Sequence, residues 1–245
     1  MKTLEKSRIS LGVVGWLILA IGQVTAAQAG SHPEISGKTV RLAKQSGAAA
    51  TALGIPAVQC AFLKMGRAVE FVDVPWTRAQ QGTRRGSYDG FFMASRTANR
   101  DSYAIASVPF VKNDWVYVIA PGSDLTPSSA RFLKQRFGAN QGTARIQWLL
   151  RMRQDGKLAI DVSDAPKVEH AWEMLARGRF DVLLENRANL EKFLSQKKYA
   201  EFRFFPARQA ELSVYFSKVF LARDPMILES FNDAIGHCRA SRIED

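Results

Sequence analysis

The chain has 245 residues, 47% hydrophobic and 23% charged. That excludes a disordered or fibrous protein and is enough for one large domain or two small ones. Lys and Arg total 34 against 23 Asp and Glu, a formal charge of +11. The cations are scattered, with no run of five, so they read as a solvated basic surface and no nucleic-acid partner is expected.

The first thirty residues stand apart. Lys2, Lys6 and Arg8 form a positive start, residues 11–22 are apolar, and Ala27-Gln28-Ala29 is an A-x-A cleavage pattern. This is the layout of a secretory signal peptide over residues 1–29. Twelve apolar residues are too few for a bilayer span, which needs about 20. Export is therefore expected, and with it an oxidising environment for the two cysteines, Cys60 and Cys238.

In chain order, residues 39–43 read as a strand, and Pro56 opens a helix that ends at Gly66. Residues 68–74 read as a second strand. A short helix over 77–81 breaks near Gly82 and Gly86, and 89–94 is a third strand. The β-α-β-α-β order indicates an α/β layer built by parallel crossovers. A strand over 115–120 follows, then helices over 128–137 and 145–154, and a strand over 158–162. Asp164 and Pro166 cap and open the next helix, which is stopped by Gly178, and 180–184 is a buried strand. This is a second alternating unit. A strand over 212–221 returns to the first unit, and a last helix starts at Asp224-Pro225. Ile227, Phe231, Ala234, Ile235 and Cys238 lie on its one apolar face.

Catalytic and cofactor motifs are missing. Gly37-Lys38-Thr39 resembles the end of a phosphate loop, but His32 stands where the first glycine belongs and the lysine precedes a strand. There is no G-x-S-x-G and no C-x-x-C, and His32, His170 and His237 lie in no metal-binding frame. No metal and no cofactor is expected.

An ordered series of segments does carry information. Val74-Pro75-Trp76-Thr77-Arg78-Ala79, Tyr88-Asp89-Gly90, Ala94-Ser95, Arg100-Asp101-Ser102-Tyr103-Ala104 and Ser107-Val108-Pro109 follow at set intervals. Residues 174–181 (MLARGRFD) and Ser213-Val214-Tyr215-Phe216-Ser217-Lys218 complete the series. Together they resemble the bacterial family 3 extracellular solute-binding proteins, the periplasmic receptors of polar amino-acid ABC transporters. The resemblance implies an α/β, two-lobed type II periplasmic-binding fold. It places 30–112 plus 211–245 in a discontinuous lobe 1 and 113–210 in lobe 2, with hinge crossings near 110–114 and 209–212. It implies a monomer that takes a small amino-acid-like solute between its lobes and delivers it to an inner-membrane ABC permease.

The same resemblance marks Arg100 as the side chain that holds a ligand carboxylate, with Ser95 donating from the same loop. Arg suits that role because its planar fork pairs bidentately; the alternative is a surface pair with Asp101. In lobe 2, Gln141, Gly142 and Thr143 precede a helix, whose free N–H groups can take an anion or can simply be capped. The family's usual acid for a ligand ammonium falls on Asn186, with Glu185 beside it, which puts an ordinary amino-acid ligand in doubt. The aromatic segment usual after the first strand is replaced by Gln45-Ser46-Gly47-Ala48, leaving Trp76 and Trp115 as cleft walls or as core. Cys60 and Cys238 both fall in the implied lobe 1, where they either bridge or remain buried thiols. Two other readings stay open. One is a dehydratase-like enzyme on the same fold with Glu185 as its acid; the other is a ligand receptor for a sensor protein.

Overall fold

The computed structural model describes residues 37–159 and 161–238; the segment expected as a signal peptide lies outside them. Three parallel strands start the first sheet: β1 (Val40–Gln45), β2 (Val69–Val74) and β3 (Gly90–Ala94). α1 (Ala49–Lys64) and α2 (Trp76–Arg84) make the crossovers. After α3 (Ala98–Asp101) and the short β4 (Ala104–Ala106), β5 (Val111–Ile119) leads into the second sheet. There, β6 (Phe137–Asn140), β7 (Val162–Ala165) and β8 (Val182–Asn186) are joined by α4 (Ala144–Gln154) and α5 (Val168–Ala176). α6 (Arg187–Leu194) follows, then β9 (Arg203–Ser217), α7 (Lys218–Leu221) and α8 (Ile227–Gly236).

The strand order is β2-β1-β3-β9-β5-β8-β6-β7, with β4 also on β9. The fifteen-residue β9 runs through both sheets. Its last residues pair antiparallel with β3 and β4, and nine of its first ten pair antiparallel with β5 from Ile119↔Arg203 to Val111↔Leu212, with Ala207 skipped at a register shift. The two segments expected as hinge crossings are thus hydrogen-bonded to each other, Val111↔Leu212 through Asp114↔Gln209.

β3 is covered on both faces, so it is apolar throughout and all five of its residues are buried. In the first unit, Phe62 of α1 and Phe231 of α8 meet at 5.4 Å over Val40, Leu42 and Phe216. On the opposite face Trp76, Phe91 and Tyr215 form a smaller core. In the second unit Trp172 of α5 stacks on Phe193 of α6 at 4.6 Å, and the other face packs under α4. Burying each such ring stabilises by about 1.5–3 kcal/mol. Cys60 and Cys238 are bonded, with Cα atoms 5.8 Å apart, pinning α1 to the end of α8. Cys238 lies just past the helix, not on it.

Several expected elements change. α1 starts seven residues before Pro56. Pro56 and Ala52, whose carbonyl it leaves unbonded, both sit on the exposed face of the helix, open to solvent. α2 runs through Gly82, which is small because the Tyr88 ring lies on it; Gly86, at φ +76°, ends the turn. The expected helix over 128–137 is absent. Thr126 and Ser129 bond the local backbone instead, a single tight turn spans Phe132–Lys134, and β6 follows. Asp164 lies in β7, not at a cap, because Pro166 holds Ala165 extended and delays α5 to Val168. The strand expected over 212–221 breaks at Ser217, whose hydroxyl caps α7. α8 starts at Ile227, and the Asp224 carboxylate, expected to cap it, pairs with Arg67 at 2.9 Å.

Candidate ligand cleft

Between the two units lies a space of about 40 Å³, walled by the carboxyl ends of parallel strands. Gln45 ends β1, Ser95 follows β3, Thr143 follows β6 and Asn186 ends β8. In open α/β sheets that edge is where loops diverge and backbone donors point outward.

Arg100 is 1% exposed and presents its guanidinium to this space. Thr97 caps the short helix that carries it. Its Nε donates to Gln80 Oε1 at 3.2 Å, Nη1 to the Ser95 carbonyl at 2.5 Å and Nη2 to the Gly142 carbonyl at 3.0 Å. The guanidinium carbon stands 5.3 Å from the Trp76 ring and 5.8 Å from the Phe91 ring. Every one of these partners is neutral. Asp101, the alternative partner, instead accepts from Tyr215 Oη at 3.0 Å and pairs with Arg96 at 3.4 Å. Burial pushes the Arg100 guanidinium down to about 10, and the charge of Arg145 pushes the same way. It stays protonated at neutral pH, a buried cation without a carboxylate in contact.

Opposite it, Thr143 caps α4, donating to the Asn140 carbonyl at 2.6 Å and accepting from the Ile146 amide at 3.4 Å. Gly142, at φ +70°, turns its carbonyl toward the first unit. Three donors converge on that oxygen: Trp76 Nε1 at 3.1 Å, Gln80 Nε2 at 3.1 Å and Arg100 Nη2. The Ala49 amide also reaches Asn189 Oδ1 at 2.9 Å, and Lys192 Nζ reaches the Gly47 carbonyl at 2.8 Å. The cleft is closed by direct bonds between the units.

Arg145, in the first turn of α4, lines the same space. Its Nε donates to the Leu184 carbonyl at 3.1 Å, and Nη2 pairs with Glu185 Oε1 at 2.8 Å. A cation at a helix start opposes the helix dipole, so Glu185 offsets both that and the burial. Glu185 is wholly buried behind Arg145 and does not line the cavity; its Oε2 has no partner among the described residues. Asn186 faces the cavity, and its Oδ1 is occupied as the cap of α6, accepting from the Asn189 amide at 2.8 Å.

Of the residues singled out in the sequence, Trp76, Ser95, Arg100, Trp115, Thr143 and Asn186 line the space. Both tryptophans are also nearly buried, so wall and core coincide in them. Gly142 contributes its carbonyl from alongside, while Gln141 is exposed outside the lining. Sequence reasoning missed Gln45, Asn113 and Arg145. Only Arg145 left a signal: a cation in the first turn of a helix is misplaced unless something buried pairs with it. Past Ser95, Trp115 and Ala144 the space opens into a groove of about 710 Å³ that carries Arg96, Arg151, Arg208 and Glu211. Among the described residues no cluster of His, Cys, Asp or Glu could hold a metal, and no helix is long and apolar enough to cross a membrane.

No protein-family model matches the sequence, and no curated protein matches it. Solved structures match the fold. The arginine-bound form of a truncated arginine-binding protein (ArgBP) from T. maritima aligns at TM-score 0.65 and 16% identity, over 81% of this chain and 95% of that one. An ABC uptake transporter substrate-binding protein from Streptococcus pneumoniae with bound histidine aligns at 0.66 and 18%, over 81% and 86%. An ancestral arginine-binding protein bound to glutamine aligns at 0.67 and 18%, over 82% and 92%. At these identities the likeness establishes the fold: the chain is α/β and two-lobed, of the periplasmic-binding type.

Proposed function

We propose that the protein is a periplasmic receptor that captures a small carboxylated solute between its lobes and delivers it to an inner-membrane ABC permease. The observation that carries this reading is Arg100: fully buried, charged at neutral pH, held only by neutral acceptors and facing a space between two units. A desolvated guanidinium in that setting gains strongly from a carboxylate.

The mechanism follows from the joints. Lobe 1 is 30–112 plus 211–245 and lobe 2 is 113–210, joined where β5 and β9 pair. Opening bends that ribbon and releases the bonds to the Gly142 carbonyl, together with Ala49–Asn189 and Lys192–Gly47. A carboxylate entering the open cleft takes the Nη donors of Arg100, and contacts to both lobes shift the population toward closure. The permease then recognises the closed form. Turnover is not part of the proposal: Glu185, the acid a dehydratase would need, is tied to Arg145 and sits outside the cavity lining.

A thermal-shift screen of the purified protein against amino acids and mono- and dicarboxylates tests this. A ligand at a hundredfold excess over Kd stabilises by about 2.7 kcal/mol. Arg100→Ala is expected to lose about 2–5 kcal/mol of binding while far-UV circular dichroism is preserved. Small-angle scattering should show a smaller radius of gyration with the ligand. Unchanged affinity in Arg100→Ala would refute the assignment.

A further inference from the structure

We infer that the cleft selects an organic acid with two carboxylates and no ammonium group; this rests on the receptor reading and names its ligand class. The charged side chains lining the inner space are Arg100 and Arg145, with no Asp or Glu among the described residues that wall it. An α-amino acid carries an ammonium that must be desolvated on closure, and an unpaired buried ammonium is costly.

None of three nearby side chains can receive that ammonium. Asn186 is neutral, and its oxygen already accepts the Asn189 amide. Glu185 is spent: its Oε1 takes Arg145, the Asn186 amide at 2.7 Å and Asn189 Nδ2 at 3.3 Å. Its Oε2 is buried away from the cavity lining. Asp101 is turned to Tyr215 and Arg96.

Positive charge, by contrast, exceeds what one carboxylate neutralises. Glu185 compensates Arg145 and leaves Arg100 uncompensated. The groove that continues from the inner space holds three arginines; Arg96 pairs with Asp101, and Arg151 and Arg208 stand against the one carboxylate of Glu211. Arg208 is already poised at the junction, its guanidinium 5.7 Å from the Trp115 ring, and Trp115 lines both compartments. A first carboxylate on Arg100 therefore leaves a second cationic subsite along the open direction of the cleft. A diacid satisfies both ends without introducing a cation.

Matched probes isolate each element. Calorimetric titration of the full chain would compare succinate, glutarate and adipate with L-aspartate and L-glutamate, which add only the ammonium. Butyrate removes the second carboxylate, and L-arginine and L-glutamine complete the panel. The best diacid is expected to bind at least about tenfold more tightly than its amino counterpart and than butyrate. Asn186→Asp retains a good helix cap and supplies the absent acid, so it should shift the glutarate-to-glutamate affinity ratio at least about tenfold toward glutamate. An amino acid that binds the unmodified protein as tightly as any diacid would overturn the inference and leave the receptor reading standing. Butyrate equal to glutarate would overturn the two-carboxylate assignment. No heat and no thermal shift with any probe would overturn both.

Discussion

The Cys60–Cys238 bridge closes a loop of 178 residues that contains all of the second unit. Its anchors lie in one core, Cys60 on α1 and Cys238 just past α8, so the bridge restrains the unfolded chain without linking the two units to each other. With the loop-closure relation, −2.1 − 1.5R ln n cal/mol/K, a loop of that length corresponds to about 5 kcal/mol at 25 °C. A domain of this size is stable by about 5–15 kcal/mol, so reduction should remove a third or more of the total. Guanidinium unfolding of the oxidised protein, the reduced protein and Cys60→Ala/Cys238→Ala measures it. The midpoint should fall in both uncrosslinked forms. The slope m should rise, because the uncrosslinked unfolded chain exposes more surface. The reduced form isolates the crosslink from the small packing loss at the two alanines. Oxidised and reduced stabilities within about 1 kcal/mol of each other would refute the claim that loop closure dominates the bridge's contribution.

Glu185→Ala leaves Arg145 a buried, unpaired cation and should destabilise by about 3–5 kcal/mol, whereas Arg145→Met/Glu185→Leu should recover most of that; equal losses in the two variants, read by denaturant unfolding, would contradict the pairing argument. Gly142→Ala places a Cβ 2.9 Å from Gln80 Nε2 at a φ of +70°. It should cost about 1–2 kcal/mol of stability and weaken ligand closure, and unchanged melting and affinity would contradict the close approach. Burial first, and the hydrogen bond to Asp101 next, push the Tyr215 phenol up to about 12. Unfolded chains lose that proton from about pH 10, so this contribution to stability is whole below pH 10 and is lost as pH rises through 12. In a tyrosinate absorbance titration Tyr215→Phe should remove the last phase to ionise, and its persistence would exclude Tyr215 as the source.

Much of the fold is readable without coordinates. The alternation of apolar strands and amphipathic helices locates β1 to β3 and β8 to within a few residues, because each buries both faces or one clean stripe. Arg100 and Ser95 are identifiable through an ordered series of segments, and two cysteines in one lobe already suggest their pairing. The elements that escape are those whose local preferences lose to tertiary contacts. β6 reads Phe-Gly-Ala-Asn, a poor strand by composition, and exists because β7 and β8 flank it and Phe137 and Ala139 are buried there. α1 tolerates Pro56 because that face meets water, which no local window reveals. The Arg145–Glu185 pair joins residues forty positions apart, and the three donors on the Gly142 carbonyl come from a different lobe. Periodicity and capping act within a few residues and are written in the chain. The pairing of buried charge depends on which strand ends the sheet order brings together, and only the assembled structure decides that.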